Sequence, residues 1–466
     1  MSFVNVDLDM VVKKGLELGA DFIDVRYQEY YSEIIVLDNG VVRELSVNNV
    51  HGLGIRVIVD GYMVYSSINN LSMKNIEEIL ERAIKIAKNL GPGGQKRDLE
   101  KRATQRARLS STYVIDAEDV DFEEKIDILR SMYSEVSKIE NVISVTIPYG
   151  YERDRRVYVS SNGDYIDYTR RMIGISTRIV SLYEGKYESI SDSRSKVAGW
   201  EFVKSQDWVD YAVENGKLAV DLAKATRIKP GKYDVILDNE MVGLMLHEAF
   251  GHASEADAVE SGASVLRDKI GEMVASDQVS IIDDGMVENG VLIPFDDEGT
   301  PKKKTYIVEE GVLKTFITSL STSKSLGLEP TGNARVMTYR HPILVRQTNI
   351  YMEPRDWGEE EMIKDTKKGL YVTGRGARGG EVNPLAGTFT FTSGPVYVIE
   401  NGELAHLVKG VMLSGFILET LKRIDAVGRN LVIKTSVFGG CGKAGQTVRV
   451  GYGGPYVRVK DFVIGG

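Results

Sequence analysis

Two of the chain's five histidines stand five residues apart in His247-Glu248-Ala249-Phe250-Gly251-His252, inside a segment that is otherwise mostly apolar. That spacing limits the backbone sharply. At about 100° per residue, side chains five apart on a regular α-helix point roughly 140° away from each other, whereas those four apart nearly coincide. A regular helix therefore cannot aim both imidazoles at one point. A turn widened to i→i+5 bonding, a π-bulge, returns them to one side, and such bulges are frequent at functional sites. Gly251 lowers the steric barrier to this distortion, or to ending the helix there.

The helix is framed by its neighbours. Tyr233 to Leu237 reads as a strand, Asn239 as a cap, and Met241, Val242, Leu244, Met245, Leu246, Ala249 and Phe250 make the helix apolar almost all round, hence buried. For either histidine alone, a hydrogen-bonded core residue is the simpler reading. Two of them flanking a glutamate, followed by Glu255 and Asp257, point instead to a metal. A catalytic zinc takes three protein ligands and leaves a fourth position to water. Glu248 is placed to take the proton from that water as general base.

For the third ligand there are two contenders. Cys441, the only cysteine, lies in Phe438-Gly439-Gly440-Cys441-Gly442-Lys443-Ala444-Gly445-Gln446, a backbone of small residues that can bend around one side chain. Lone cysteines are usually inert core residues. Here the Lys443 cation would favour the thiolate. Glu255, three residues after His252, is the rival, because it falls near the same face of a continuing helix. Cys441 is preferred because it completes a ligand set that recurs in catalytic zinc sites, one ion per chain, with Glu255 and Asp257 supporting the ligands.

At 466 residues the chain should form two or three domains with ample core. The expected class is α+β, divided into an N-terminal α/β subdomain at 1–105, a central one at 106–228 and a β-rich C-terminal domain at 229–466. In the first part, Asp7 caps a helix to about Leu18. Strands follow at Phe22 to Tyr30, Glu33 to Leu37, Val41 to Val47, Leu53 to Val59 and Tyr62 to Ser66, joined by turns such as Asp38-Asn39-Gly40 and Asp60-Gly61. Ser72 then caps an amphipathic helix with Ile76, Ile79, Leu80, Ala83, Ile84 and Ile86 on its apolar side. The central part repeats the scheme: a helix near Asp121 to Ser137, strands at Val142 to Tyr149, Arg155 to Ser160 and Met172 to Leu182, and a helix from Glu201 to Thr226. Tight turns imply antiparallel sheets with packed helices. Beyond the histidines, Asp283-Asp284-Gly285, Glu288-Asn289-Gly290, Glu309-Glu310-Gly311 and Glu400-Asn401-Gly402 punctuate a glycine-rich antiparallel sheet or barrel-like domain that carries the buried metal helix.

A net charge of −9 weighs against nucleic acid as the main partner. The basic run Lys96 to Arg108, after Gly91-Pro92-Gly93-Gly94, is broken by Asp98 and Glu100 and reads as a solvated linker; Lys302-Lys303-Lys304 reads as a solvent- or substrate-facing loop. No apolar run is long enough for a membrane span, and Met1 to Asn5 lacks the start of a signal peptide, so a cytoplasmic location is expected. A single cysteine excludes an intramolecular disulfide.

Gly374-Arg375-Gly376-Ala377-Arg378-Gly379-Gly380 is too far from the phosphate-loop pattern to read as one. It reads either as a mobile surface loop or as a backbone edge whose glycines let a peptide approach closely, with Arg375 and Arg378 offering donors to carbonyls or a carboxylate, which suits an extended peptide added as a strand.

Taken together, His247 to Asp257, Gly332-Asn333-Ala334-Arg335, Arg346 to Tyr351, Gly374 to Gly387, Cys441-Gly442-Lys443-Ala444-Gly445-Gln446 and the terminal Val463-Ile464-Gly465-Gly466 resemble the TldD/PmbA metalloproteases, TldD-type subunit, over most of the chain. The resemblance implies zinc on His247, His252 and Cys441 with Glu248 catalytic, a set that PmbA-type relatives lack. It further implies a peptidase for unfolded or small peptides, held extended in a channel within a dimer, either of two copies or with a PmbA-type relative. Arg335 joins the substrate residues on this ground. Ala334 departs from the family's second glycine, which concerns the shape of the substrate loop. Two other readings are open: a non-catalytic scaffold or regulator with a structural metal, and a zinc hydrolase of another amide or ester. Structural sites normally have four protein ligands, which favours the peptidase.

Overall fold

Alternating apolar residues separated by tight turns produce long hairpins, and the first half of the chain is built from them. The computed structural model describes residues 6–90 and 96–465, without the side chain of Arg378. The Gly91 to Gly94 linker, the start Met1 to Asn5 and the terminal Gly466 lie outside the described residues. Strands Phe22–Asp38, Val41–Val59, Val142–Ser160 and Tyr165–Tyr183 are each 17 to 19 residues long. They form a seven-stranded sheet with Tyr62–Ile68 at one side, and with both Arg106–Ser110 and Lys186–Lys196 pairing Tyr165–Tyr183 at the other. The N-terminal and central segments therefore share one sheet, joined by antiparallel pairing from Asp24↔Ser160 to Asp38↔Thr146. Phe22–Asp38 and Val142–Ser160, each expected as two strands, are continuous. Partners on both sides carry the ladder through the polar stretches at Tyr31-Ser32 and Gly150 to Asp154, so pairing overrides local composition.

Helices cover one face of this sheet. Leu8–Glu17, capped by Asp7, and Met73–Asn89, capped by Ser72, pack on Ile23, Val25, Tyr27, Val157 and Val159. Phe122–Val136 and Trp208–Lys224 pack on Ile35, Leu37, Ile147, Tyr149 and Tyr151 at the other end. Ile86 is not part of the apolar stripe: it is 43% exposed, because Ile76, Leu80, Ala83 and Ala87 set the buried face. The helix expected over 201–226 is two helices, Trp200–Lys204 and Trp208–Lys224, since Asp207 starts the second by accepting from Asp210 N at 2.8 Å.

The even-numbered residues of the same strands carry charge on the opposite face, which meets the C-terminal half. Arg56, 0% exposed, bridges Asp24 and Glu298. Arg156 holds Asp297 at 2.9 Å, and Arg449 holds Glu152 at 2.8 Å.

The C-terminal half contains a ten-stranded sheet, in which Gly231–Leu237 lies between Val457–Gly465 and Lys368–Val372, and a six-stranded sheet containing Ile281–Asp283, Asn349–Met352, Gly451–Gly454 and Val432–Thr435. Most pairs are antiparallel; Lys368–Val372 with Gly231–Leu237, Glu403–Lys409 with Thr226–Arg227 and Asn349–Met352 with Gly451–Gly454 are parallel. Helix Asn239–Met245 shares one core with residues of both sheets, among them Val235, Ile281, Ile350 and Val459. Its Gly243 packs on the Gly453 backbone so closely that a Cβ would overlap it. Lys302, expected on a loop surface, is buried: its ammonium contacts Asp283 at 2.8 Å and donates to Asn333 Oδ1 at 2.9 Å. Among the described residues no helix is long and apolar enough to cross a membrane.

Candidate metal centre

Asp238, not Asn239, caps the histidine-bearing helix: its carboxylate accepts from Met241 N at 2.7 Å and from Gly374 N at 2.9 Å. Asn239 turns away and donates to the carbonyls of Asn430 and Gly454, at 2.8 and 2.6 Å. The α-helix ends at Met245, and Leu246–Gly251 is a π turn. The widened turn brings the two imidazoles together, with ring centres 5.4 Å apart at an interplanar angle of 73°. A short 3₁₀ turn, His252–Ser254, follows, and at Glu255 the backbone becomes extended.

Cys441 enters from a different part of the chain. It begins a small hairpin, Cys441–Lys443 with Gln446–Val448, closed by Ala444 and Gly445, both at positive φ. Its Sγ lies 3.4 Å from His252 Nε2, and one ligand atom each from His247, His252 and Cys441 fall within 4.8 Å of one another. Tetrahedral zinc with bonds of ~2.0–2.3 Å sets its ligand atoms roughly 3.3–3.6 Å apart, a spacing the Cys441–His252 pair already has, and imidazole nitrogen and thiolate sulfur are donors that zinc takes. His247 Nδ1 is buried with no hydrogen-bond partner, as expected of a group whose partner is something other than protein. Burial would raise the Cys441 thiol, yet His247 and His252 hold it well below its ordinary value, which favours the metal-binding thiolate.

Glu255 stands on the other side of the His252 ring. Its Oε2 meets His252 Nδ1 at 3.3 Å and accepts from Lys443 Nζ at 2.8 Å; Lys443 also holds Asp257 at 2.7 Å. The geometry groups Cys441, rather than Glu255, with the histidines, while Glu255 orients the ring, the usual arrangement behind a ligating imidazole. Burial acts against both charges, but His252 and then Lys443 take Glu255 down to about 2, while Glu255 and Cys441 take His252 up to about 11. Glu248 differs from these neighbours. Half-buried beside the cluster, its carboxylate has no hydrogen-bond or ion-pair partner among the described residues.

Three profiles of the PmbA/TldA metallopeptidase family match the chain: domain 1 over residues 23–87, the central domain over 115–226 and the C-terminal domain over 230–466. The chain belongs to the TldD/PmbA metalloprotease family. A metalloprotease of Methanocaldococcus jannaschii is 35% identical over 452 residues, covering 96% of this chain and 97% of that one. A zinc metalloprotease TldD homolog of Saccharolobus solfataricus is 30% identical over 461 residues, covering 98% of this chain and 99% of its own length. The crystal structure of TldE from Thermococcus kodakarensis shares the fold, with a TM-score of 0.81 at 17% identity, over 98% of this chain and 100% of that one.

The glycine-rich segment of this TldD-type chain divides by position. Only Gly379 faces the candidate base: a Cβ there would come 3.3 Å from Glu248 Oε1. Gly380 instead packs on the neighbouring strand, where a Cβ would overlap Thr390 O. Gly374 lies on the helix start, 2.6 Å from Met241 N by the same measure, and Gly376, at φ +75°, passes Ser191 O. Arg375 is held by Asp192 and Glu214, each at 3.4 Å, on the wall of a cleft of about 770 Å³ that is also lined by the start of the histidine-bearing helix at Asp238, Asn239 and Glu240. Arg335, expected among the substrate residues, lies in the interior. It is 6% exposed and donates to the carbonyls of Gln347 and Arg449 at 2.6 and 2.7 Å, because this buried guanidinium closes otherwise open backbone groups. For Arg378 the strand position alone is described.

Sequence reasoning passed over Tyr452 and gave Gln347, inside the Arg346 to Tyr351 motif, no role of its own. The Tyr452 ring lies 6.0 Å from His247, and its hydroxyl is pushed up to about 12, by burial first. Gln347 donates to His247 O at 3.0 Å. The uninterrupted polar run Arg346-Gln347-Thr348-Asn349, between two apolar strand segments, was the available signal.

Proposed function

We propose that this protein is a zinc-dependent peptidase that hydrolyses unfolded or small peptides held in extended form. The observation that carries the reading is an unengaged carboxylate, Glu248, beside a three-residue donor cluster, His247, His252 and Cys441. These three would hold one zinc ion, which when bound polarises a carbonyl and makes water more acidic. Glu248 takes the proton of the attacking water and passes it to the departing amine, leaving a carboxylic acid and a free amine. A structural zinc would call for a fourth protein ligand, and the group here has three.

An open sheet edge supports the choice of substrate. Arg378–Asn383 ends the ten-stranded sheet, pairing among the described residues only with Thr388–Thr392, and it carries Gly379 past Glu248. A peptide added along this edge would be recognised through its backbone and would run beside the base. A folded substrate has no free strand to offer. A dimer with a second copy or with a PmbA-type relative, in a reducing cytoplasm that suits the thiolate ligand, belongs to the same proposal.

Metal analysis joined to a peptide-digestion assay tests the reading. Purified protein should hold about one zinc per chain, and Glu248→Gln should keep the metal while turnover of an unfolded peptide falls ~10²–10⁴-fold, the usual worth of one acid–base group. Near-normal turnover by a zinc-loaded Glu248→Gln protein would remove Glu248 from the chemistry.

A further inference from the structure

The π turn is a costly conformation, so something must hold it. No side-chain cap comes from its own residues. A side chain that inserts from outside into a helix's hydrogen-bond ladder is an established cause of such distortion. Gln347 occupies that position: fully buried, it donates from Nε2 to the His247 carbonyl at 3.0 Å. Its amide also fills the place where residue 251 would carry a side chain, since a Cβ built on Gly251 would overlap Gln347 Oε1, Cδ and Nε2. Glycine opens the slot and the amide fills it.

The backbone bearing Gln347 is itself fixed. Arg346 N donates to Asn333 O at 2.9 Å, Thr348 N donates to Asp283 Oδ2 at 2.8 Å, and Arg335 donates to the carbonyl of Gln347. Arg346, also fully buried, donates to the carbonyls of Cys441 and, at 3.2 Å, Gln446, the two arms of the cysteine hairpin. Adjacent residues of one pinned segment thus grip the helix that carries two donors and the hairpin that carries the third.

We propose that Gln347 is a positioning residue for the metal centre: its amide, wedged into the slot left by Gly251 and bonded to the His247 carbonyl, holds the π turn that aims His247 and His252 at Cys441. The inference rests on the zinc-peptidase reading, and it assigns the site's geometry to a residue that touches neither metal nor substrate. Gln347→Met keeps the volume and loses the donor. Outer groups that orient metal ligands are typically worth ~10–100-fold in metal affinity, and a loss of that size is expected.

The experiment uses the full chain, measuring zinc affinity by chelator competition, the visible spectrum of the cobalt-loaded protein, and melting of the metal-free protein. Gln347→Met should bind zinc at least tenfold more weakly and show altered cobalt bands, with metal-free melting close to that of the parent. Gly251→Ala, which keeps every polar group and fills the slot, should alter the cobalt bands in the same way, and it serves should the first variant fail to fold. Gln347→Asn, which keeps a donor, should recover part of the affinity. Parental zinc affinity and cobalt spectrum in the folded variants would overturn the proposal. So would a loss of affinity that merely follows a loss of metal-free stability. A parent protein that binds no zinc would instead overturn the zinc reading itself.

Discussion

Cys441 and Glu255 show how far single residues could be read. Both were contenders for the third ligand by chemistry and spacing, and the choice between them turns on which nitrogen of His252 each one meets. Sγ faces Nε2, while the carboxylate faces Nδ1. No sequence spacing carries that information, because it depends on the extended turn at Glu255 and on a hairpin some 190 residues away, at a separation of 189 from His252 to Cys441. Cys441→Ser should therefore lose most bound zinc, the hydroxyl being a far poorer donor than a thiolate. Retention of full zinc in that variant would return the ligand role to Glu255. The histidine pair itself was legible, since a five-residue spacing on a buried helix has few solutions. Arg335 was not: a buried arginine that closes backbone carbonyls looks the same in sequence as one that waits for a substrate carboxylate.

At the scale of elements, caps and turns were read well because they are local. Asp7 and Ser72 start their helices as expected, and Asp38-Asn39-Gly40 reverses the chain. The histidine helix is the exception, with the capping position one residue earlier, at Asp238, because Asn239 is drawn off by carbonyls distant in sequence. Burial raises the Asp238 carboxyl to about 7 despite the backbone donors at its oxygens. A group whose folded value lies above its unfolded one near 3.9 contributes stability below that lower value and loses it as pH rises through 7. Asp238→Asn keeps a capping oxygen without the charge. Its unfolding midpoint in urea, relative to the parent's, should thus improve between pH 5 and pH 8, and a constant difference would show that the carboxyl titrates normally. The glycine-rich strand gives a second test at this scale. Gly380 cannot probe substrate binding, as any side chain there breaks the hairpin against Thr390. Gly379→Val places its branched side chain against Glu248. It should lower peptide turnover about 10²-fold, the cost of a displacement near 1 Å in a catalytic group, with zinc content unchanged. Turnover at the parental rate would take this edge out of the substrate path.

The whole molecule is organised by the two faces of its first sheet, and here sequence reasoning had least to work with. Apolar alternation revealed the face that helices cover. The other face alternates charged and polar residues, Asp24, Arg26, Gln28 and, opposite, Arg156 and Asp154, which reads as a solvent-facing pattern; in the structure it is buried against the metal-bearing half. Charges placed there are stable only in pairs, and the pairs span 141 to 297 residues: Arg56 to Glu298, Arg156 to Asp297, Glu152 to Arg449. Such an interface is sensitive to the loss of one partner and much less to the loss of both. Arg56 is the sharpest case, since its removal leaves the Asp24 and Glu298 carboxylates facing each other with almost no exposed surface between them. Arg56→Met should destabilise the protein by roughly 3–5 kcal/mol in urea unfolding, as the breaking of a buried pair usually does. Replacing Asp24 and Glu298 with Asn and Gln in the same chain should recover much of that loss, because the remaining groups no longer carry unpaired charge. A loss below about 1 kcal/mol for Arg56→Met, the range of exposed ion pairs, would mean that water enters this interface and that the two halves are joined by other contacts.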